Sequence, residues 1–236
     1  MRRWAAAVIA IGATVAYARA RHWFLGWGAA PQELDGALPG DDLLPHASMV
    51  TTRAITVDAP PDAVWPWLVQ LGQDRGGFYS YDWLENLFGL GIHTAERVVP
   101  EWQTLAVGDQ IRVAPERAGP EAGFTVVALE PRRSIVTVIG DPAIVGPRAA
   151  SGALPEGGTW ALVLRPIGTE QTRLLVRLRT RLSFPWPAAW FVERLIEPVH
   201  FVMERKQLLT IRSLAGRYPA PADAPSVVSP LSASTG

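Results

Sequence analysis

Two sets of side chains in this 236-residue chain have the types and spacing to do chemistry. The first is aromatic: Trp65, Trp67, Phe78, Tyr79, Tyr81, Trp83, Trp102 and Trp160, in a chain with ten tryptophans. Such rings wall apolar ligand cavities, where a few hydroxyl and N–H groups orient the guest. They equally pack short helices onto a sheet. Trp65 suits the core, and Tyr79, Tyr81 and Trp102 suit a cavity wall. The expected cavity set is Trp67, Tyr79, Tyr81, Trp83, Trp102 and Trp160.

The second set is ionisable. Asp82 and Glu85 are three apart on an expected helix, so both can face one side, and His93 and Glu101 follow in a loop. Together they could bind a metal or form an acid/base pair; the alternative is a solvated face with a capping network. Asp82, Glu85 and His93 are carried forward as possible polar cavity groups. His22, His46 and His200 are scattered, and no HExxH, GxSxG or phosphate-loop pattern occurs, so no metal, cofactor or catalytic residue is assigned. Arg75-Gly76-Gly77 reads either as an anion-binding nest or as a turn needing positive φ. Arg173, Arg177, Arg179 and Arg181 share one face of an expected strand, opposite Leu174, Val176, Leu178 and Leu182. That row is either a solvated face or a contact for anionic phospholipid heads.

These groups need elements to position them. Thr52–Asp58 alternates and is β-branched, so it reads as a strand. Pro61 opens a helix carrying Val64, Trp65, Leu68 and Leu71 as an apolar stripe, kinked at Pro66 and ended by Gly72. Ser80 is an expected N-cap for a second helix, Tyr81–Phe88. Strands follow at Gln110–Val113, Phe124–Glu130, Ser134–Ile139, Thr159–Arg165 and Gln171–Leu182, with turn signals at Pro131 and Gly168. The Gly140–Gly157 stretch reads as a mobile loop. Ala188–Leu214 reads as a long helix, bent at Pro198, with Val192, Leu195, Ile196, Val199, Val202 and Met203 expected as its buried stripe. Short β–β connections require antiparallel pairing. The expected fold is therefore α+β: a curved antiparallel sheet wrapped on a long C-terminal helix.

The ends differ in composition. Arg2 and Arg3 precede an uncharged run, Trp4–Ala18, followed by Arg19, Arg21, Trp23, Phe24 and Trp27. Residues 1–27 read as a membrane anchor with an interfacial aromatic belt, with a cleaved signal peptide as the rival. Residues 28–50 read as an extended linker, 51–217 as the domain and 218–236 as a disordered tail. With 22 basic and 22 acidic residues, no net field attracts nucleic acid. The absence of cysteine excludes disulfides and thiolate chemistry.

Particular words in the chain carry a likeness. They are Thr52-Arg53-Ala54-Ile55-Thr56-Val57, Val64-Trp65-Pro66-Trp67-Leu68-Val69-Gln70-Leu71-Gly72, Arg75-Gly76-Gly77-Phe78-Tyr79-Ser80-Tyr81-Asp82, Pro100-Glu101-Trp102-Gln103 and Phe201-Val202-Met203-Glu204-Arg205-Lys206. From about Trp27 to Leu214 the chain resembles the START-like (SRPBCC) superfamily of helix-grip proteins, in a bacterial membrane-tethered subgroup. The resemblance implies a cavity between sheet and C-terminal helix but brings no catalytic motif. The expected function is binding or carriage of a hydrophobic small molecule or lipid at a membrane. The alternatives are a cavity enzyme of cyclase or hydrolase type, or a module docking a partner protein or the bilayer.

Overall fold

A computed structural model describes residues 2–87, 89–115, 123–139, 157–181 and 187–218; of residues 2, 3, 5–10, 188–190 and 193 it describes the backbone alone. In chain order the elements are α1 (Arg2–Leu25), α2 (Pro31–Asp35), β1 (Met49–Val57), α3 (Pro61–Val69), α4 (Asp82–Asn86), β2 (Gln110–Arg112), β3 (Gly123–Glu130), β4 (Ser134–Ile139), β5 (Gly157–Ile167), β6 (Gln171–Arg181) and α5 (Ala188–Ala215). The six strands form one antiparallel, curved sheet in the order β1-β6-β5-β4-β3-β2. β1 and β2 are thus the two edges, and the chain between them carries α3 and α4. The expected Gly140–Gly157 loop lies almost wholly outside the described residues, as does the tail from residue 219.

Period-two alternation assigns the faces of the sheet. Ile55 and Val57 of β1, Trp160 and Leu162 of β5, and Leu174, Val176 and Leu178 of β6 point inward, against Val64, Trp67 and Leu68 of α3 and Leu208, Ile211 and Ala215 of α5. The outer face carries a second apolar cluster: Ala54, Val136, Ala161, Val163 and Leu175 pack under Leu38 and Leu43. Residues 28–48, expected as an extended linker, are laid on the domain. They contain α2 and a 3-10 turn at Asp41–Leu43, and they cover the sheet.

The arginine row of β6 holds that cover down, so it is neither a solvated face nor a lipid contact. Arg173 pairs with Glu33 at 2.6 Å and donates to the Gly28 carbonyl. Arg177 pairs with Asp41 at 2.5 Å and donates to the carbonyls of Gly36, Glu33 and Leu34. Arg179 donates to Leu44 and Pro45, and Arg181 to His46. A segment with little regular structure has carbonyls to satisfy when it is laid on a sheet, and planar guanidinium forks supply the donors.

α1 packs on the domain by its C-terminal end. Phe24 and Trp27, with Trp23, surround Phe201 of α5 at centroid distances of 5.8, 6.3 and 5.2 Å. Arg21 holds Glu197 through two bonds of 2.8 and 2.7 Å. Contacts advance together from Arg21–Glu197 to Trp27–Arg205, so α1 and α5 run in the same direction. Among the described residues no helix is long and apolar enough to cross a membrane.

The greatest departure from the sequence reading is the face α5 buries. Leu195, Ile196, Val199 and Val202 are exposed, Leu195 by 62 %, while Glu197 and Glu204 are buried. Beyond Glu204 the helix reverts to an apolar inner face, Leu208, Ile211 and Ala215. The inner neighbours explain the inversion. Arg53 of β1, fully buried, points at this stretch of α5 and pairs with Glu204 at 2.5 Å. An unpaired buried charge costs about 3–5 kcal/mol, so Arg53 requires an acid on the side of α5 that faces it.

Replacing Arg177 by Ala should lower unfolding stability by about 3–5 kcal/mol and make residues 28–48 sensitive to limited proteolysis. Arg177→Lys should recover only part of this, because an ammonium cannot reach the same fan of carbonyls. Equal behaviour of Arg177→Ala and the parent protein in chemical denaturation would contradict the account.

Candidate functional site

Between the inner sheet face and the middle of α5 lies a partly open cavity of about 250 Å³. Its floor is Phe124, Ile139, Trp160 and Leu178, with the Phe124 and Trp160 rings 5.0 Å apart. Met203 and Gln207 of α5 form one wall together with His200 and Glu204. The roof is the segment from Phe78 to Ile92, contributing Phe78, Ser80, Glu85, Leu90 and Ile92.

That roof is braced by its own polar side chains. Asn86 exchanges two 2.8 Å hydrogen bonds with the Ile92 backbone, and Asp82 accepts from the Thr94 N–H and hydroxyl at 2.9 and 2.6 Å. The Arg75-Gly76-Gly77 stretch is a turn, not a nest. Gly72 and Gly77 pair as an isolated bridge, and the Gly76 N–H donates to the Gln70 carbonyl at 2.7 Å, so these N–H groups are already used. Gly77 has φ of 70°, and a Cβ there would lie 2.7 Å from the His93 carbonyl. Ser80 does not cap α4; its hydroxyl donates to the Met203 carbonyl and ties the roof to α5.

Polar groups gather at the α5 side. Arg53 donates through Nη1 to Glu204 Oε2 and to His200 Nδ1 at 2.9 Å, and through Nε to the Phe24 carbonyl at 2.9 Å. Because a guanidinium only donates, His200 Nδ1 must accept, which leaves its proton on Nε2, 3.6 Å from Glu204 Oε1. Burial holds the His200 pKa below the ordinary histidine value, with Glu204 pulling the other way. On the roof side, burial pushes the Glu85 carboxyl up to about 7, and the nearby Asp82 adds to the rise. Glu85 Oε2 and Glu204 Oε1 are buried and accept no hydrogen bond among the described residues.

The expected site residues part company here. Trp160 and Glu85 line the cavity. Tyr79 is fully buried in the core, its hydroxyl accepting from Gln70 at 2.8 Å and its backbone at φ of 57°. Trp67 packs edge-on against Tyr79 and Tyr218, and with Asp82 borders a separate polar groove of about 540 Å³. Tyr81 sits beneath Lys206 and against Trp83, which is 69 % exposed. Trp102 lies in a 3-10 turn and lines neither space, and His93 is exposed. Asp82, Glu85, His93 and Glu101 thus do not converge, and no metal-holding group of His, Asp and Glu occurs among the described residues.

Phe78 belonged to the aromatic set but not to the expected cavity residues, and Phe124, Leu178, His200, Met203, Glu204 and the supporting Arg53 were not among the expected site residues. One signal was available for Arg53. It stands at the i position of an inward i, i+2, i+4 series with Ile55 and Val57, and an inward arginine demands a buried acid.

No protein-family model matches the chain, and no curated protein is similar to it. Solved structures similar to it are small bacterial proteins. One from Mesorhizobium loti is 16 % identical over 72 % of this chain and 98 % of its own, with a TM-score of 0.37. One from Nitrosomonas europaea is 12 % identical over 71 % and 94 %, TM-score 0.39. One from Thermobifida fusca is 15 % identical over 71 % and 93 %, TM-score 0.41.

The raised Glu85 pKa has a definite consequence for stability. Below about pH 4.5 both folded and unfolded states bind the proton. As pH rises through 7 the unfolded state releases it first, so stability falls across this window. Glu85→Gln should therefore be more stable than the parent above pH 7, by on the order of 3 kcal/mol, and the gap should close toward pH 4. Thermal melts across pH 4 to 8 measure this; parallel curves for the two proteins would refute it.

Proposed function

We propose that the chain is a START-like helix-grip protein that binds an apolar small molecule in the cavity between its sheet and α5, at a membrane surface. One observation carries the binding reading: Phe78, Leu90, Ile92, Phe124, Ile139, Trp160, Leu178 and Met203 surround about 250 Å³ of space. Apolar cavities of about 150 Å³ take up benzene, so this one suits a guest of on the order of ten non-hydrogen atoms. A whole two-chain phospholipid exceeds it; a small ring system or one short chain does not.

Membrane attachment is supported by what α1 and α5 present outward. Ile11, Val15 and Tyr17 of α1 and Phe191, Leu195, Val199 and Val202 of α5 are exposed, and the two helices lie side by side. Exposed apolar stripes of this kind mark interaction surfaces, and Trp4 and Trp23 are aromatic types that favour the bilayer interface. In this reading α1 enters or lies in the bilayer while the α5 stripe rests on it, which places a lipid reservoir beside the cavity.

A specific observation favours a second reading, catalysis within the cavity. Burial lifts the Glu85 pKa to about 7, so near neutral pH it is present as both acid and carboxylate, and its acid form can donate a proton to a guest.

Native mass spectrometry of the full chain, extracted from its host membrane in mild detergent, should show a bound small apolar molecule. An empty protein that takes up nothing from a total lipid extract would defeat the binding reading, and recovery of a chemically altered guest would favour catalysis. For the membrane, Leu195→Glu with Val199→Glu should reduce co-flotation with phospholipid vesicles severalfold. Stability should change by no more than about 0.5 kcal/mol per site, since both side chains are exposed. Undiminished flotation would remove the α5 stripe from the attachment.

A further inference from the structure

We infer that the ligand of this cavity carries a protonated amine on its apolar body, and that the carboxylates of Glu85 and Glu204 receive that ammonium. The inference rests on the binding reading above and adds the chemistry of the head group.

The cavity is apolar in its walls and acceptor-rich at its polar points. Glu85 and Glu204, each 3 % exposed, both line it; Glu85 Oε2 accepts no hydrogen bond among the described residues, and Glu204 Oε1 has only the His200 Nε2–H, 3.6 Å away and beyond hydrogen-bond distance. Leaving such an oxygen unpaired out of water is costly, so a donor from the ligand gains more here than at an open surface. Ser80, which lines the cavity, gives its own proton to the Met203 carbonyl and so has no hydroxyl proton left for a ligand.

Cations are missing from the same wall. No lysine or arginine lines the described part of the cavity. Arg53, behind Glu204, is committed to the Glu204 carboxylate, the His200 ring and the Phe24 carbonyl. Gln207 is the one neutral amide among the lining residues. A fatty acid or phosphate ester would set its anion against two acids with no free cation to receive it. An alcohol brings one donor. An ammonium brings three, each in a charge-assisted bond, and the faces of Phe78, Phe124 and Trp160 are suited to a nearby cation as well.

Octylamine, octan-1-ol and octanoate, titrated below their micelle concentrations into the full chain by isothermal calorimetry, separate these cases. Octylamine should bind at least about tenfold more tightly than the other two. Glu85→Gln, which keeps the shape and removes the charge, should reduce that preference to about threefold or less. Octanoate binding as well as octylamine, octanol matching the amine, or a preference that survives in Glu85→Gln would each overturn the head-group inference while leaving the cavity a binding site. Failure of all three to bind would overturn the binding reading, and this inference with it.

Discussion

The arrangement depends on two buried acids of α5 and the arginines that hold them. Glu197 is held by Arg21 of α1 and by Arg194 one turn back; Glu204 is held by Arg53 of β1. Leaving either carboxylate buried without its partner would be strongly destabilising. These pairs lock the rotation of α5, dock α1 on the domain and turn the aliphatic stripe of α5 outward. Arg53 does a further job by donating to the Phe24 carbonyl at the end of α1, where helix carbonyls lack internal partners. One side chain thereby joins β1, α1 and α5.

The cavity follows from the same constraint. Where α5 is apolar on its inner side, at Leu208, Ile211 and Ala215, it closes against the sheet and α3. Where its inner side is Glu197, His200 and Glu204, its polar groups are directed to arginines, and the sheet residues Phe124, Trp160 and Leu178 are left facing a space. The polar end of the cavity and the apolar surface of the molecule are two sides of one helix, an amphipathic segment installed with its polar face inward. Protein interiors are otherwise close-packed, so an apolar space of this size is itself informative.

The outer face of the sheet shows a related economy. The β6 arginines and the small cluster around Leu175 bind residues 28–48 as a cover, and Glu33 and Asp41 provide the matching charge. The hydrogen bond from Arg173 outweighs desolvation and holds the Glu33 carboxyl below its ordinary range. The sheet is covered on both faces, which leaves its edges, not its faces, to water.

Alternation and turn chemistry, being local, were readable from the sequence by itself. Leu174, Val176 and Leu178 against Arg173, Arg177 and Arg179 assigned the two faces of β6, and Pro131 and Gly168 marked its hairpins and those before it. Together they set the order of strands and helices and the antiparallel sheet. The aromatic wealth predicted an apolar cavity wall, yet placed only Trp160 of its six named residues on the wall that the structure forms. The rest was decided by contacts between residues far apart in the chain. From Val192 to Glu204 α5 carries two stripes with the same helical period, one aliphatic and one of Glu197, His200 and Glu204, and periodicity cannot choose between them. The choice was made by Arg53, 151 residues away from Glu204, because a buried charge left without its partner is strongly destabilising.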